Sequence, residues 1–176
     1  MWKAVPQLPG VMITNAVVEQ ACNEVSGYSE EQMASEFERF FTTQPDLCDF
    51  VSELTSESDQ KIQELSLFLS YMVFKAVEKS EPRQAPRATR EAIETAFHES
   101  ENWIEKVNEV ESGNAQASIL SNISVDAEPH LLQYVISEIN QPMDDETQLG
   151  DEQKGEVFFV LKTVISTLAR RSIVIE

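Results

Sequence analysis

The sequence predicts an all-α fold: about eight helices in two related four-helix halves, packed as a helical bundle or a short helical-hairpin array. Three observations lead there. Apolar residues recur at helical spacing along most of the chain. Only five glycines occur in 176 residues, too few for a β-rich fold with many tight turns. The second half also reads as a blurred copy of the first. Val18-Glu19-Gln20-Ala21-Cys22 parallels Ile93-Glu94-Thr95-Ala96-Phe97, Pro45 to Val51 parallels Pro129 to Val135, and Leu67-Phe68-Leu69 parallels Val157-Phe158-Phe159. The matches keep their order, as a duplicated helical unit requires.

Each element has its own signal. Met1 to Gly10, with Pro6 and Pro9, reads as an extended segment. Thr14 to Val25 carries Ala16, Val17, Val18, Ala21, Cys22 and Val25 at helical spacing, and Gly27 stops it. Ser29 followed by Gln32 is a capping box for a second helix with the face Met33, Phe37, Phe40 and Phe41. Pro45 suits the first turn of a third helix, where its missing N–H costs nothing. Leu47, Phe50, Val51 and Leu54 form that helix's face. Ser56-Glu57-Ser58-Asp59 ends it and caps a fourth helix, Asp59 to Lys79, whose Lys75 and Lys79 suit the negative helix end.

Residues 80–88 contain Pro82 and Pro86 and read as the linker between the halves, 11–80 and 88–172, of a single domain covering 1–176. A long helix then runs to about Glu111 with Ile93, Ala96, Phe97, Ile104, Val107 and Val110 inward. A short helix is expected at Ala117 to Ile123. Pro129 opens another helix to about Asn140. Met143 to Gly150 is an acidic loop, and Asp151 to Arg171 is the last helix. Ile173-Val174-Ile175 ends the chain as a fraying helix end or an extended tail. The helices holding Leu65 to Phe74 and Val157 to Ile165 are apolar on every side, which marks them as central. They are expected to meet across a pseudo-two-fold axis.

Thirty-one acids against 13 bases give a net charge of −18. The excess is even: −8 up to Arg83 and −10 beyond it. Such a surface repels phosphate backbones and anionic membranes, which disfavours nucleic acid and membrane as direct ligands. Acidity also serves solubility. Cys22 and Cys48 lie far apart in apolar helical patterns and read as small buried hydrophobes in a reducing cytosol. The first residues lack the apolar run of a signal peptide. The longest strongly apolar stretch, Leu65 to Phe74, is too short to span a bilayer. A cytoplasmic protein is expected.

Catalytic signals are few. His98 and His130 are the two histidines, and neither sits in a local nucleophile motif such as a triad would use. The best metal candidate is Glu94, His98 and Glu101, spaced by four and three along one helical stripe. Helical di-iron sites need Glu-x-x-His motifs on paired helices. Here Thr95 stands three residues before His98, and the second half of such a cage is missing. Glu91 with Glu94, or Glu101 with Glu105, could serve a magnesium site only if a second helix brought further carboxylates. In the first half Glu19 matches Glu94, but Cys22 and Asn23 stand for Phe97 and His98. A solvated charged face explains these residues more simply, so no catalytic, metal or cofactor residue is assigned. Asp144-Asp145-Glu146 does not match a calcium loop. Trp2 and Trp103 read as packing residues rather than binding anchors.

The expectation for function is therefore a non-enzymatic cytosolic interaction or scaffold protein that binds another protein, best a basic one, through an acidic helical surface. Homodimerisation through an apolar surface is equally compatible. The alternatives are a helical carboxylate- or metal-dependent hydrolase near Glu94, His98 and Glu101, and an acidic mimic of nucleic acid.

Overall fold

A helix that is apolar all round must be enclosed by other helices. Two such helices organise this protein. A computed structural model of the chain describes residues 13–80, 87–109, 128–141 and 149–169, the side chains of 107–109 apart. Seven helices and no strands occur among them: α1 (Asn15–Ser26), α2 (Glu30–Thr43), α3 (Pro45–Leu54), α4 (Gln60–Ser80), α5 (Arg90–Glu109), α6 (Pro129–Ile139) and α7 (Asp151–Leu168). The expected short helix at Ala117 to Ile123, most of the linker, most of the acidic loop, Trp2 and the terminal Ile173 to Ile175 lie outside the described residues.

As expected, α4 and α7 are the central pair. Every residue from Leu69 to Val77 is buried, as are Val157, Phe158, Val160 to Ile165, Thr167 and Leu168. The two helices pack on each other more extensively than any other pair. The remaining helices cover the faces left over. α1 packs on α4, and α5 packs on α7. α3 packs on α4, and α6 packs on α7. Across the halves α3 meets α5, and α1 meets α6. α2 closes the outside of α3 and α4 by inserting Phe40 between Tyr71 and Phe74, at ring separations of 5.9 and 5.0 Å.

The two proline-led helices are tied to the opposite half in the same way. A residue that precedes proline is pushed out of the helical region. Gln44 (φ −128°, ψ 55°) and Glu128 (φ −131°, ψ 64°) adopt nearly the same conformation at the starts of α3 and α6. Neither side chain caps its own helix. Each reaches across instead. Gln44 Oε1 accepts the Ala88 N–H at 2.9 Å, and Glu128 Oε2 accepts the Ile13 N–H at 2.9 Å. Ile13 and Ala88 stand 75 residues apart, each two residues before its helix. Thr14 and Thr89, next in line, cap α1 and α5 through Val17 N–H and Ala92 N–H.

Other local signals are realised with small differences. Both hydrogen bonds of the Ser29–Gln32 capping box form, at 3.1 and 2.8 Å. Gly27 follows α1 with φ −88°, a right-handed residue, so its left-handed freedom is not what ends the helix. Ala16 faces solvent because the inward stripe of α1 is Val18, Ala21 and Val25. Phe41 is 43% exposed, since Phe40 already fills the space beside α4. α7 ends at Leu168, with Ala169 as its C-cap, rather than at Arg171.

Two stability predictions follow from this packing. Leu161, wholly buried at the centre of α7, leaves a cavity when truncated. Leu161→Ala should cost about 2–5 kcal/mol in urea unfolding, and a loss below about 1 kcal/mol would refute its central placement. Gln44→Ala strands the buried Ala88 N–H. It should cost about 1–3 kcal/mol, whereas exposed Gln32→Ala, which removes a cap bond that water can replace, should cost less.

Candidate functional site

Two clefts arise where the halves meet. The first lies between α3 and α5. Leu47 and Val51 of α3 and Ile93 and Ala96 of α5 turn inward and fix the helices side by side. The next stripe on each helix is then left facing its neighbour. On α3 this stripe is Asp46, Asp49, Phe50, Glu53 and Leu54, and on α5 it is Arg90, Glu94 and Phe97, with the inward Ile93 also touching the cleft. These positions recur at three- and four-residue steps, the spacing that places side chains on one helical face. They enclose about 300 Å³.

The lining of this cleft is aromatic and acidic. Half-buried Phe50 and Phe97 meet edge to face at 6.1 Å, and Phe97 is propped from behind by Phe159 at 5.2 Å. Four carboxylates surround the rings: Asp46, Asp49, Glu53 and Glu94. Arg90 is the single base, 80% exposed, with its Nε 3.7 Å from Asp46. The side chains of Asp49, Glu53 and Glu94 have no ion-pair or hydrogen-bond partner among the described residues. Leu54, 37% exposed, stands at one end.

The second cleft, about 570 Å³, lies between α1 and α6. Its lining residues are Asn15, Val18, Glu19, Cys22, Asn23, Gln133, Tyr134, Ser137 and Glu138. Under the offsets of 84 and 75 expected from the sequence repeat, Gln133 would align with Asp49, Tyr134 with Phe50, Ser137 with Glu53, Asn15 with Arg90 and Cys22 with Phe97. Burial pushes the pKa of Cys22, Tyr134 and Glu138 up, disfavouring ionisation, and the nearby carboxylates Glu138 and Glu19 add to the effect on Cys22. The thiol is therefore held protonated and is a poor nucleophile. Burial, with Asp49 beside it, also raises Cys48 to about 12.

Glu94, His98 and Glu101 separate by role. Glu94 lines the first cleft. His98 is 73% exposed, and its Nδ1 lies 3.1 Å from Glu101 Oε1 on the outer face of α5. Among the described residues no three His, Cys, Asp or Glu side chains gather closely enough to hold a metal ion.

A third cluster joins α1, α2 and α4. Arg39 forks onto both oxygens of Glu78 at 2.8 and 2.6 Å and also bonds Glu36. Glu36 Oε2 accepts from the Tyr71 hydroxyl at 2.7 Å and from Lys75 at 3.2 Å. Lys75 and Lys79 both pair with Glu24, which also accepts from the Tyr28 hydroxyl. Burial alone would raise the Glu36 carboxyl, yet Arg39, Tyr71 and Lys75 hold it down at about 2. Lys79, then Tyr28, hold Glu24 at about 2 as well. The bonds are mutual, so this cluster reads as a structural clamp. The position of Lys75 in the last turns of α4 suggests a dipole partner; its contacts show that it also answers two carboxylates on other helices. The sequence signal for the clamp was a lysine inside the apolar run Met72 to Val77. The signal for the first cleft was Asp46, Asp49 and Glu53 on one stripe, hidden within an evenly acidic chain.

No helix among the described residues is long and apolar enough to cross a membrane. No protein-family model, curated protein or solved structure matches the chain.

The clamp sets a pH dependence. Glu36 falls from an ordinary 4.5 to about 2 on folding. Its contribution is therefore fully present above 4.5 and is lost as pH falls towards 2. Glu36→Gln should cost about 1–3 kcal/mol at neutral pH and should flatten the loss of stability between pH 4.5 and 2. Thermal unfolding across that range tests this; an unchanged acid slope would remove the clamp's role.

Proposed function

We propose that the protein is a non-enzymatic interaction or scaffold protein of the cytosol, and that its acidic α3–α5 cleft receives a basic face of a partner protein. The observation that carries this reading is the cleft itself, where unpaired carboxylates surround half-buried phenyl rings. Opposite charge would speed the encounter, and the −18 surface extends that attraction beyond the cleft. Two free cysteines suit a reducing compartment.

The scaffold in this reading is an internal duplication, with α1, α3 and α4 related to α5, α6 and α7. The paired helix contacts, the matched Gln44 and Glu128 straps and the matched threonine caps support it. A pseudo-two-fold axis would run between α4 and α7.

Capture from native cell extract tests the interaction. The immobilised full chain should retain a specific basic protein at about 0.1 M salt and release it at about 1 M, where the screening length falls from ~10 to ~3 Å. Retention that ignores salt, or an empty capture, would end this reading.

A further inference from the structure

The two clefts occupy equivalent places, yet their chemistry has diverged. This divergence predicts both what binds and how many copies bind. We infer that the α3–α5 cleft takes an arginine-bearing segment with adjacent aliphatic residues, one per molecule, and that the α1–α6 cleft does not take it. The inference rests on the proposed interaction function and names the partner's chemistry at that site.

Arginine suits the cleft for three reasons. Its planar guanidinium stacks on aromatic faces, and Phe50 and Phe97 present half-buried rings that meet edge to face at the cleft. Its fork of donors matches carboxylates, and Asp49, Glu53 and Glu94 are available on opposite walls. Arg90 sits beside Asp46 at the other end of the cleft, so it does not satisfy these three. Leu54 then offers an apolar ledge for an aliphatic neighbour on the incoming segment.

The second cleft lacks this set. Gln133 and Ser137 replace Asp49 and Glu53, and Cys22 replaces one ring. Glu19 stands for Glu94, but Glu138 stands where Leu54 offers its ledge, and burial pushes the Glu138 carboxyl towards its neutral form. A guanidinium placed there would meet two carboxylates, Glu19 and Glu138, and one ring, where the first cleft offers four carboxylates and two rings.

The test is calorimetric titration of the full chain with a blocked peptide of alternating leucine and arginine, with a glutamate-for-arginine peptide as control. One saturable site is expected for the arginine peptide and none for the control. The double variant Asp49→Asn with Glu53→Gln should weaken binding ~10-fold or more, as loss of two charge-assisted contacts requires. Gln133→Lys with Ser137→Lys changes the net charge by the same amount in the other cleft and should leave affinity within about twofold, as remote, screened charges do. Two equal sites, equal weakening by both variants, or no binding would overturn the inference. If an extract partner is retained in a salt-sensitive way by the Asp49→Asn, Glu53→Gln variant, the cleft assignment fails while the interaction reading stands.

Discussion

Everything in this structure answers to the burial of two helices whose middle turns have no polar side to offer water. α4 and α7 can shield only one face of each other. The rest must be covered by helices that are apolar on one stripe alone, and α1, α3, α5 and α6 have that character. The covering helices then run alongside one another at the seams. Their second stripes, too far out to be buried and too close together to be fully solvated, become the walls of the two clefts. The candidate site is thus a by-product of how the core is closed, and its chemistry could diverge between the seams without disturbing the packing beneath.

The seams are held by polar contacts that depend on proline. Pro45 and Pro129 start their helices and keep the preceding residue out of the helical region, in a bend at ψ 55° and 64°. That bend aims Gln44 and Glu128 at the chain entering the opposite half's first helix. α2 needs a different fastening, because Phe40 is its single buried residue. The Arg39–Glu36–Lys75–Glu24 clamp supplies it, giving a helix with little core contact a dense set of charged bonds.

Much of the fold was legible in the sequence. Helix periodicity, the Ser29–Gln32 box, the proline starts and the central character of α4 and α7 all depend on local pattern, and local pattern is what a sequence displays. The face of α2 was read one residue too wide: Met33 and Phe37 pack against the core beside buried Phe40, Phe37 at 5.1 Å from Tyr71, while Phe41 is left outside. The metal stripe of Glu94, His98 and Glu101 was legible as spacing, yet spacing along one helix cannot reveal that Glu94 turns towards α3 while His98 and Glu101 face outward. The clefts depend on which helices become neighbours across the halves. Nothing local in the sequence shows that α3 comes to lie on α5 and α1 on α6.

The central pair also constrains the order of events during synthesis. α4 is complete by Ser80, whereas its main partner begins at Asp151. At ribosomal speeds of ~5–20 residues per second, about 70 residues of delay leave α4 without its mate for ~4–14 s. During that interval α1 and α3 can shelter two of its flanks, and the remaining flank is a sticky apolar ridge on a nascent chain. The net charge of −8 carried by the first half sets a mutual repulsion between neighbouring unfinished chains over that interval.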